Sequence, residues 1–344
     1  MQRAEGRAAK DPQAMASAVP PDDAHCWVCH DAHANGNPLL RKCACRGAST
    51  GFAHIECLVK LAAAPQAAPK SWYECPMCKQ RYFGEVQLRL AQAHFDAVDI
   101  DGSPLSSIKR HSAANAERLI AADHLARALR DCSNDYAAAL SLMEDVLAVR
   151  RATLGDEHEH TLQSIKNLAH LMLTRGDHDT ALSLGREALE GQRRVLPDDH
   201  EATLDTLRLL SAVHMEKRDY EAALPLATEA LAVLRQTRGD DDQHTLASVS
   251  LLASIHADMG NKREALELFE EDLHALRRTL GSEHPQTLLA LANVGWLQCE
   301  QGCFECGLPM LRENVAGRRA VMGAEHPKTL LAIEILEEWE KQSK

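Results

Sequence analysis

The chain has 344 residues, a length that suggests about two domains at roughly 150 residues each and can bury about 75% of its unfolded surface. It carries 38 Lys and Arg against 50 Asp and Glu, a net charge of -12, and 4% aromatic residues, which disfavours a general nucleic-acid binder that tracks phosphates and stacks bases. No run of about 18 uncharged apolar residues occurs, so no transmembrane helix is expected. The charge is uneven: residues 1–84 hold 10 basic and 7 acidic side chains, leaving 28 and 43 for residues 85–344.

Residues 1–23 mix Glu5 and Asp11 with basic residues and have no apolar core of a signal peptide, so they read as a disordered tail. Seven of the 11 cysteines then fall between Cys26 and Cys78. Clustered thiols without a secretory signal read as metal ligands in a reducing compartment, the cytoplasm or alternatively the nucleus. Within residues 24–84 the ligand candidates are Cys26, Cys29, Cys43, Cys45, His54, Cys57, Cys75 and Cys78, separated by 2, 13, 1, 8, 2, 17 and 2 residues. Eight ligands make two tetrahedral zinc sites, and pairs one or two residues apart clasp an ion from a tight turn. A segment with so few large apolar groups folds only with the metal's stabilisation, on the order of 10 kcal/mol per site. His25, His30 and His33 lie nearby without fitting the pair spacing.

The order of four cysteines, a histidine and three cysteines, the single residue between Cys43 and Cys45, the string CACRGASTGFAHIECLVKL and Trp72 three residues before Cys75 resemble the RING-CH, or RING-variant, zinc fingers of ubiquitin ligases. PHD fingers share the ligand order but usually differ in these spacings. The resemblance implies a cross-brace, with Cys26, Cys29, His54 and Cys57 on one structural zinc and Cys43, Cys45, Cys75 and Cys78 on the other. It also implies a ubiquitin-conjugating enzyme charged with ubiquitin as partner, with no covalent intermediate on this chain. Val28, Leu58, Leu61 and Pro76 would form the apolar platform for that enzyme, and Lys79 would contact ubiquitin. Leu61 stands where the family often has Trp, which makes the platform smaller.

Residues 85–111 are expected as a linker: GEVQLRLAQAHF can pack on either neighbour, and Asp101-Gly102-Ser103-Pro104 signals a turn. Beyond it a repeat appears. Thr161-Leu162, Thr203-Leu204, Thr245-Leu246, Thr287-Leu288 and Thr329-Leu330 are 42 residues apart, as are Gly155, Pro197, Gly239, Gly281 and Gly323, and Gly176, Arg218, Gly260 and Gly302. Between these markers the apolar period is helical: Leu162, Ile165, Leu168, Ala169 and Met172 in a first helix, then Ala181, Leu182, Leu184, Ala188 and Leu189 in a second over 178–195. Small residues recur where the two must approach, Ala169, Ser211, Ala253 and Gly295 against Ala181, Ala223, Ala265 and Gly307.

This pattern, with EHPQTL at 283–288 and EHPKTL at 325–330, resembles the tetratricopeptide repeats of kinesin light chains. It implies a mostly α chain: a two-zinc module followed by an α-solenoid over 112–342, with five hairpins, the first spanning about 112–151, and a capping helix at about 327–342. Recurring His158, His200, His284 and His326 read as repeat punctuation, and Cys299, Cys303 and Cys306 as structural thiols, with a third metal site as the alternative. Groove-lining positions of the first helices include Lys166, Asn167, Arg208 and Asn293. The two resemblances imply a ubiquitin-protein ligase whose repeats recruit a protein or peptide substrate. The other reading is a non-catalytic scaffold or a PHD-like peptide reader.

Overall fold

The computed structural model describes residues 25–30, 39–41, 52–64, 66–76, 81–82, 84–99, 102–109 and 112–343. The expected tail at 1–23 lies outside them, as do Cys43, Cys45, Cys78 and Lys79. Two compact units divide the chain.

The first unit holds the N-terminal residues to His94, residues 131–134 and residues 269 onward. Its N-terminal part opens on the turn Cys26–Cys29, then pairs β1 (Leu39–Arg41) antiparallel with β2 (Phe52–His54), Leu39 opposite His54. Helix α1 (Ile55–Ala62) follows with no loop between, and Ile55, Leu58 and Ala62 on its buried face. A short 3-10 turn, Pro69–Trp72, leads to an antiparallel bridge between Glu74 and Arg81 that closes the loop carrying Cys75. Helix α2 (Gly84–Val98) then places Val86 and Leu90 in the same core as Cys26, Leu39, Ile55, Leu58, Trp72, Cys75 and Tyr82. The segment expected as a linker thus begins as a helix, and its first three turns extend the zinc module: His94 stacks on Trp72, ring centroids 4.7 Å apart.

In the second unit, residues 95–130 and 135–268, a 3-10 turn at Leu105–Ser107 precedes α3 (Ala113–Ala128) and α4 (Tyr136–Leu154). Arg118 of α3 is tied to Asp99 at 2.5 Å and to Ser103. Helices α5 (Glu159–Arg175), α6 (His178–Val195), α7 (Glu201–Glu216), α8 (Tyr220–Arg238) and α9 (Gln243–Asp258) each pack on the helix before, as tetratricopeptide-like hairpins do. Helix α10 (Lys262–Leu280) crosses into the first unit, where α11 (Pro285–Glu300), α12 (Phe304–Met322) and α13 (Pro327–Gln342) stack in turn.

The 42-residue period has a physical basis at each marker. Gly155, Gly239, Gly281 and Gly323 end second helices with φ between 84° and 91°, a conformation that only glycine adopts freely. Pro197 breaks that column because α6 stops two residues earlier, at Val195. The histidine column caps first helices: Nδ1 of His158, His200, His284 and His326 accepts the backbone N–H two residues on, at 3.1 to 3.3 Å. Asp242 does the same for α9. The small-residue columns meet, since Ser211 Oγ donates to the Ala223 carbonyl and Gly295 lies against Gly307. Leu162, Ile165, Leu168, Ala169 and Met172 are all buried, and hydrophobic burial of this kind dominates the stability of such arrays.

Candidate functional site

Four of the expected metal ligands come together: one donor atom from each of Cys26, Cys29, His54 and Cys57 lies within 4.8 Å of the others. The chain arranges this with two local devices. The turn Cys26–Cys29, closed by the His30 N–H donating to the Cys26 carbonyl at 2.7 Å, presents two sulfurs from one side. The change from β2 to α1 presents the other two, because His54 is the N-cap of α1 and Cys57 sits in its first turn on the same face.

The separations fit a tetrahedral zinc. With Zn–S near 2.3 Å and Zn–N near 2.05 Å, a sulfur and a nitrogen on one ion should stand about 3.6 Å apart. Nδ1 of His54 is 3.4 Å from Cys29 Sγ and 3.8 Å from Cys57 Sγ. His54 therefore offers Nδ1 to the cluster. The electrostatics point the same way. Burial, reinforced by the nearby Cys29 and Cys26 sulfurs, pushes the Cys57 thiol up to about 12. Burial also opposes ionisation of Cys26, yet backbone hydrogen bonds at Cys29, His54 and Val28 bring it below its usual value. Thiols packed this closely resist carrying one negative charge each, and a divalent cation bound among them would let them ionise together.

Of the second expected ligand set only Cys75 is described, and it is fully buried at the closed loop between Glu74 and Arg81. Cys43, Cys45 and Cys78 lie outside the described residues. Val28, Leu61 and Pro76 of the expected platform are partly exposed. Leu58 is not a surface residue: it is 2% exposed and packs with Ile55, Trp72 and Leu90, because it falls on the buried face of α1.

The groove candidates divide. Lys166 on α5 and Arg208 on α7 converge on Asp205, at 3.3 and 3.0 Å, and His244 Nδ1 lies 3.4 Å from the same carboxylate. Burial by itself would raise Asp205, but His244, Lys166 and Arg208 together hold it well below the usual carboxylate range. Glu201 stands 3.4 Å from the other nitrogen of His244. Glu201, Asp205 and His244 cluster like metal ligands, yet the two cations already satisfy Asp205. Asn167 is not free to hold a peptide: it is 4% exposed, its Nδ2 donates to both carboxylate oxygens of Asp123 at 3.0 Å, and its Oδ1 accepts from Gln163. Asn293 is partly exposed on α11, in the other unit. The acidic partners Asp123 and Asp205 were missing from the groove as read from sequence, although Asp205 lies three residues before Arg208 on the same helix.

Two families of known proteins match separate segments of the chain. Residues 26–78 match the RING-variant domain, and residues 117–194, 175–236 and 202–273 match the tetratricopeptide repeat. A putative kinesin light chain of Podosopora anserina with nearly identical TPR-like repeats is 26% identical over 59% of this chain and 95% of its own, with a TM-score of 0.50. BtubC (BKLC) from P. vanneervenii, at 18% identity, shares the fold over 69% of this chain and 91% of its own, TM-score 0.52. A Rap protein crystallised with competence and sporulation factor does so at 9% identity over 74% and 70%, TM-score 0.55. No curated protein matches the sequence. The chain is a helical-repeat protein with a cysteine- and histidine-rich N-terminal module. More specifically, it carries a RING-variant domain together with tetratricopeptide repeats that are similar to those of the putative kinesin light chain. Among the described residues no helix is long and apolar enough to cross a membrane.

Proposed function

We propose that the protein is a RING-variant ubiquitin-protein ligase: the zinc module holds a ubiquitin-conjugating enzyme charged with ubiquitin, and the repeats hold a protein substrate. The observation that carries this reading is the Cys26, Cys29, His54 and Cys57 cluster inside the segment that matches the RING-variant domain. That set would bind one zinc, and Cys43, Cys45, Cys75 and Cys78 a second. A closed four-ligand shell leaves no position for water, so zinc here supplies fold and no chemistry. Val28, Leu61 and Pro76 present the apolar platform, Leu58 supports it from beneath, and Lys79 reaches ubiquitin. The reacting bond belongs to the conjugating enzyme: a substrate lysine attacks its thioester carbonyl and the enzyme's cysteine leaves. The module's contribution is to restrict the orientation of that thioester.

Lys166, Arg208 and Asn293 are the groove positions proposed to meet substrate. With Lys166 and Arg208 engaged by Asp205, a ligand gains there by exchanging ion pairs, which selects charged segments over purely apolar ones. The acidic balance of the repeats favours a basic one through steering. A methyl-lysine reader needs an aromatic cage. Trp72 and Tyr82 are core residues, and among the described side chains of residues 25–82 the partly exposed aromatics are Trp27 and Tyr73.

The test is autoubiquitination by the zinc-loaded full chain with a panel of conjugating enzymes, beside Cys75→Ser, Val28→Ala and Lys79→Ala variants. Ubiquitin ladders that vanish with Cys75→Ser and weaken at least about tenfold in the other two, with their zinc retained, support the reading. No ladder with any conjugating enzyme, from protein with two zincs per chain, overturns it in favour of a scaffold.

A further inference from the structure

Every hairpin turns from its first to its second helix through one left-handed residue followed by a capping residue. The left-handed residues Asn134, Gly176, Arg218, Gly260 and Gly302 have φ between 53° and 85°. The residue after each is Asp135, Asp177, Asp219, Asn261 and Cys303. In the first three turns the aspartate carboxylate accepts the backbone N–H three residues on, from Ala138, Thr180 and Ala222 at 3.1 to 3.3 Å. The fifth turn keeps the backbone and changes the chemistry. Cys303 caps α12 with φ -85° and ψ 69°, against -84° and 75° at Asp177, and makes no side-chain cap bond. The residue three on, which supplies the capped N–H elsewhere, is Cys306, and the two sulfurs are bonded, with Cα atoms 5.5 Å apart.

Both cysteines are exposed. The third thiol at this corner is the opposite: Cys299 is 1% exposed, packed against Gly307, and raised by burial. Among the described residues no further His, Cys, Asp or Glu completes a metal-sized cluster with the pair. The geometry is therefore a Cys-x-x-Cys pair at the start of a 19-residue helix, open to solvent, in a place where three of the four sister turns put a carboxylate.

We propose that Cys303 and Cys306 are a reversible dithiol–disulfide site whose co-substrates are small or protein disulfides. In the reduced form Cys303 takes the place of the capping aspartate, where the free N–H groups and the partial positive charge of the helix start favour a thiolate. That thiolate attacks one sulfur of an incoming disulfide. A mixed disulfide forms, the incoming S–S bond breaks, and the first thiolate leaves and takes up a proton. Cys306, giving its proton to solvent, then attacks Cys303 Sγ and expels the second thiol. One disulfide is reduced to two thiols, and two electrons leave the chain as its own S–S bond forms. The proposal is independent of the ligase reading.

The experiment equilibrates the full, zinc-loaded chain without oxygen in a ladder of glutathione to glutathione-disulfide ratios, quenches with acid, alkylates, and weighs the peptide holding residues 303–306. It should pass in one two-electron step from doubly alkylated to disulfide, while Cys299 is alkylated only after unfolding. Cys306→Ser should trap glutathione on Cys303 at least about tenfold faster than Cys303→Ser traps it on Cys306. Retention of both thiols at every ratio overturns the proposal, as does protection from alkylation by a bound metal. Equal trapping on the two positions overturns the assignment of Cys303 as the attacking group. The wild-type titration needs no variant and stands even if a variant misfolds.

Discussion

The histidine caps make a sharp pH prediction at His284. Its Nδ1 accepts the Gln286 N–H at 3.2 Å, which requires an unprotonated nitrogen, and burial lowers its pKa from 6.5 to about 4. The folded state thus prefers the neutral ring, while the unfolded chain takes up a proton near pH 6.5. Stability from this residue is whole above that pH and is lost as pH falls from 6.5 towards 4. Between pH 7.5 and 5.0 the loss works out at about 2 kcal/mol. The comparison is His284→Asp, because Asp242 caps α9 at the equivalent position with φ -70° and ψ 140°, against -68° and 139° at His284, and accepts its N–H at 2.9 Å. An aspartate stays ionised over this window. Denaturant unfolding followed by helical circular dichroism, at both pH values, should show the variant losing about 2 kcal/mol less than the wild type on acidification, contributions from the other histidines cancelling in the difference. An equal acid loss in both proteins would refute the cap as the site of titration.

Two further expectations concern packing and metal. A Cβ on Gly307 would lie 2.5 Å from the Gly295 carbonyl oxygen and 2.4 Å from Cys299 Sγ, so Gly307→Ala should destabilise by about 1–2 kcal/mol, the overlap outweighing a helix-propensity gain of about 1 kcal/mol. Gly185→Ala, which meets the Leu210 side chain and no backbone atom, should cost less, and a Gly307→Ala protein melting above wild type would contradict this. Zinc chelation should abolish the near-ultraviolet signal of Trp72, stacked on His94 in the module core, and leave most of the helical signal. An unchanged Trp72 spectrum in metal-free protein would mean that the module does not need its ion.

The repeat was legible because a 42-residue period with fixed turn residues leaves few alternatives: the second helix at 178–195 and the last at 327–342 fall where the spacing puts them. The ligand candidates were legible because ligand chemistry restricts residue types and short-range spacing together, while the grouping of Cys26, Cys29, His54 and Cys57 came from the RING-variant resemblance. The aspartate caps at 135, 177 and 219 were equally available at the same period, and with them the exchange to Cys303. The remainder depended on which face of an element a side chain occupies. Helical period alone does not say that Leu58 points into the module, since Leu61 is equally apolar and one turn away.

What the sequence by itself determined is the order of parts: a zinc-ligand module first, then helical hairpins, each bounded by residues whose backbone preferences are local. Tertiary structure alone decided which polar groups are spent. Asn167 is used up by Asp123, 44 residues away, and Lys166 by Asp205, 39 residues away. Likewise the first turns of α2 became part of the module because Val86, Leu90 and His94 find their partners in Tyr82, Leu58 and Trp72. Burial and pairing are properties of neighbours brought together by the fold, and local propensity carries no record of them.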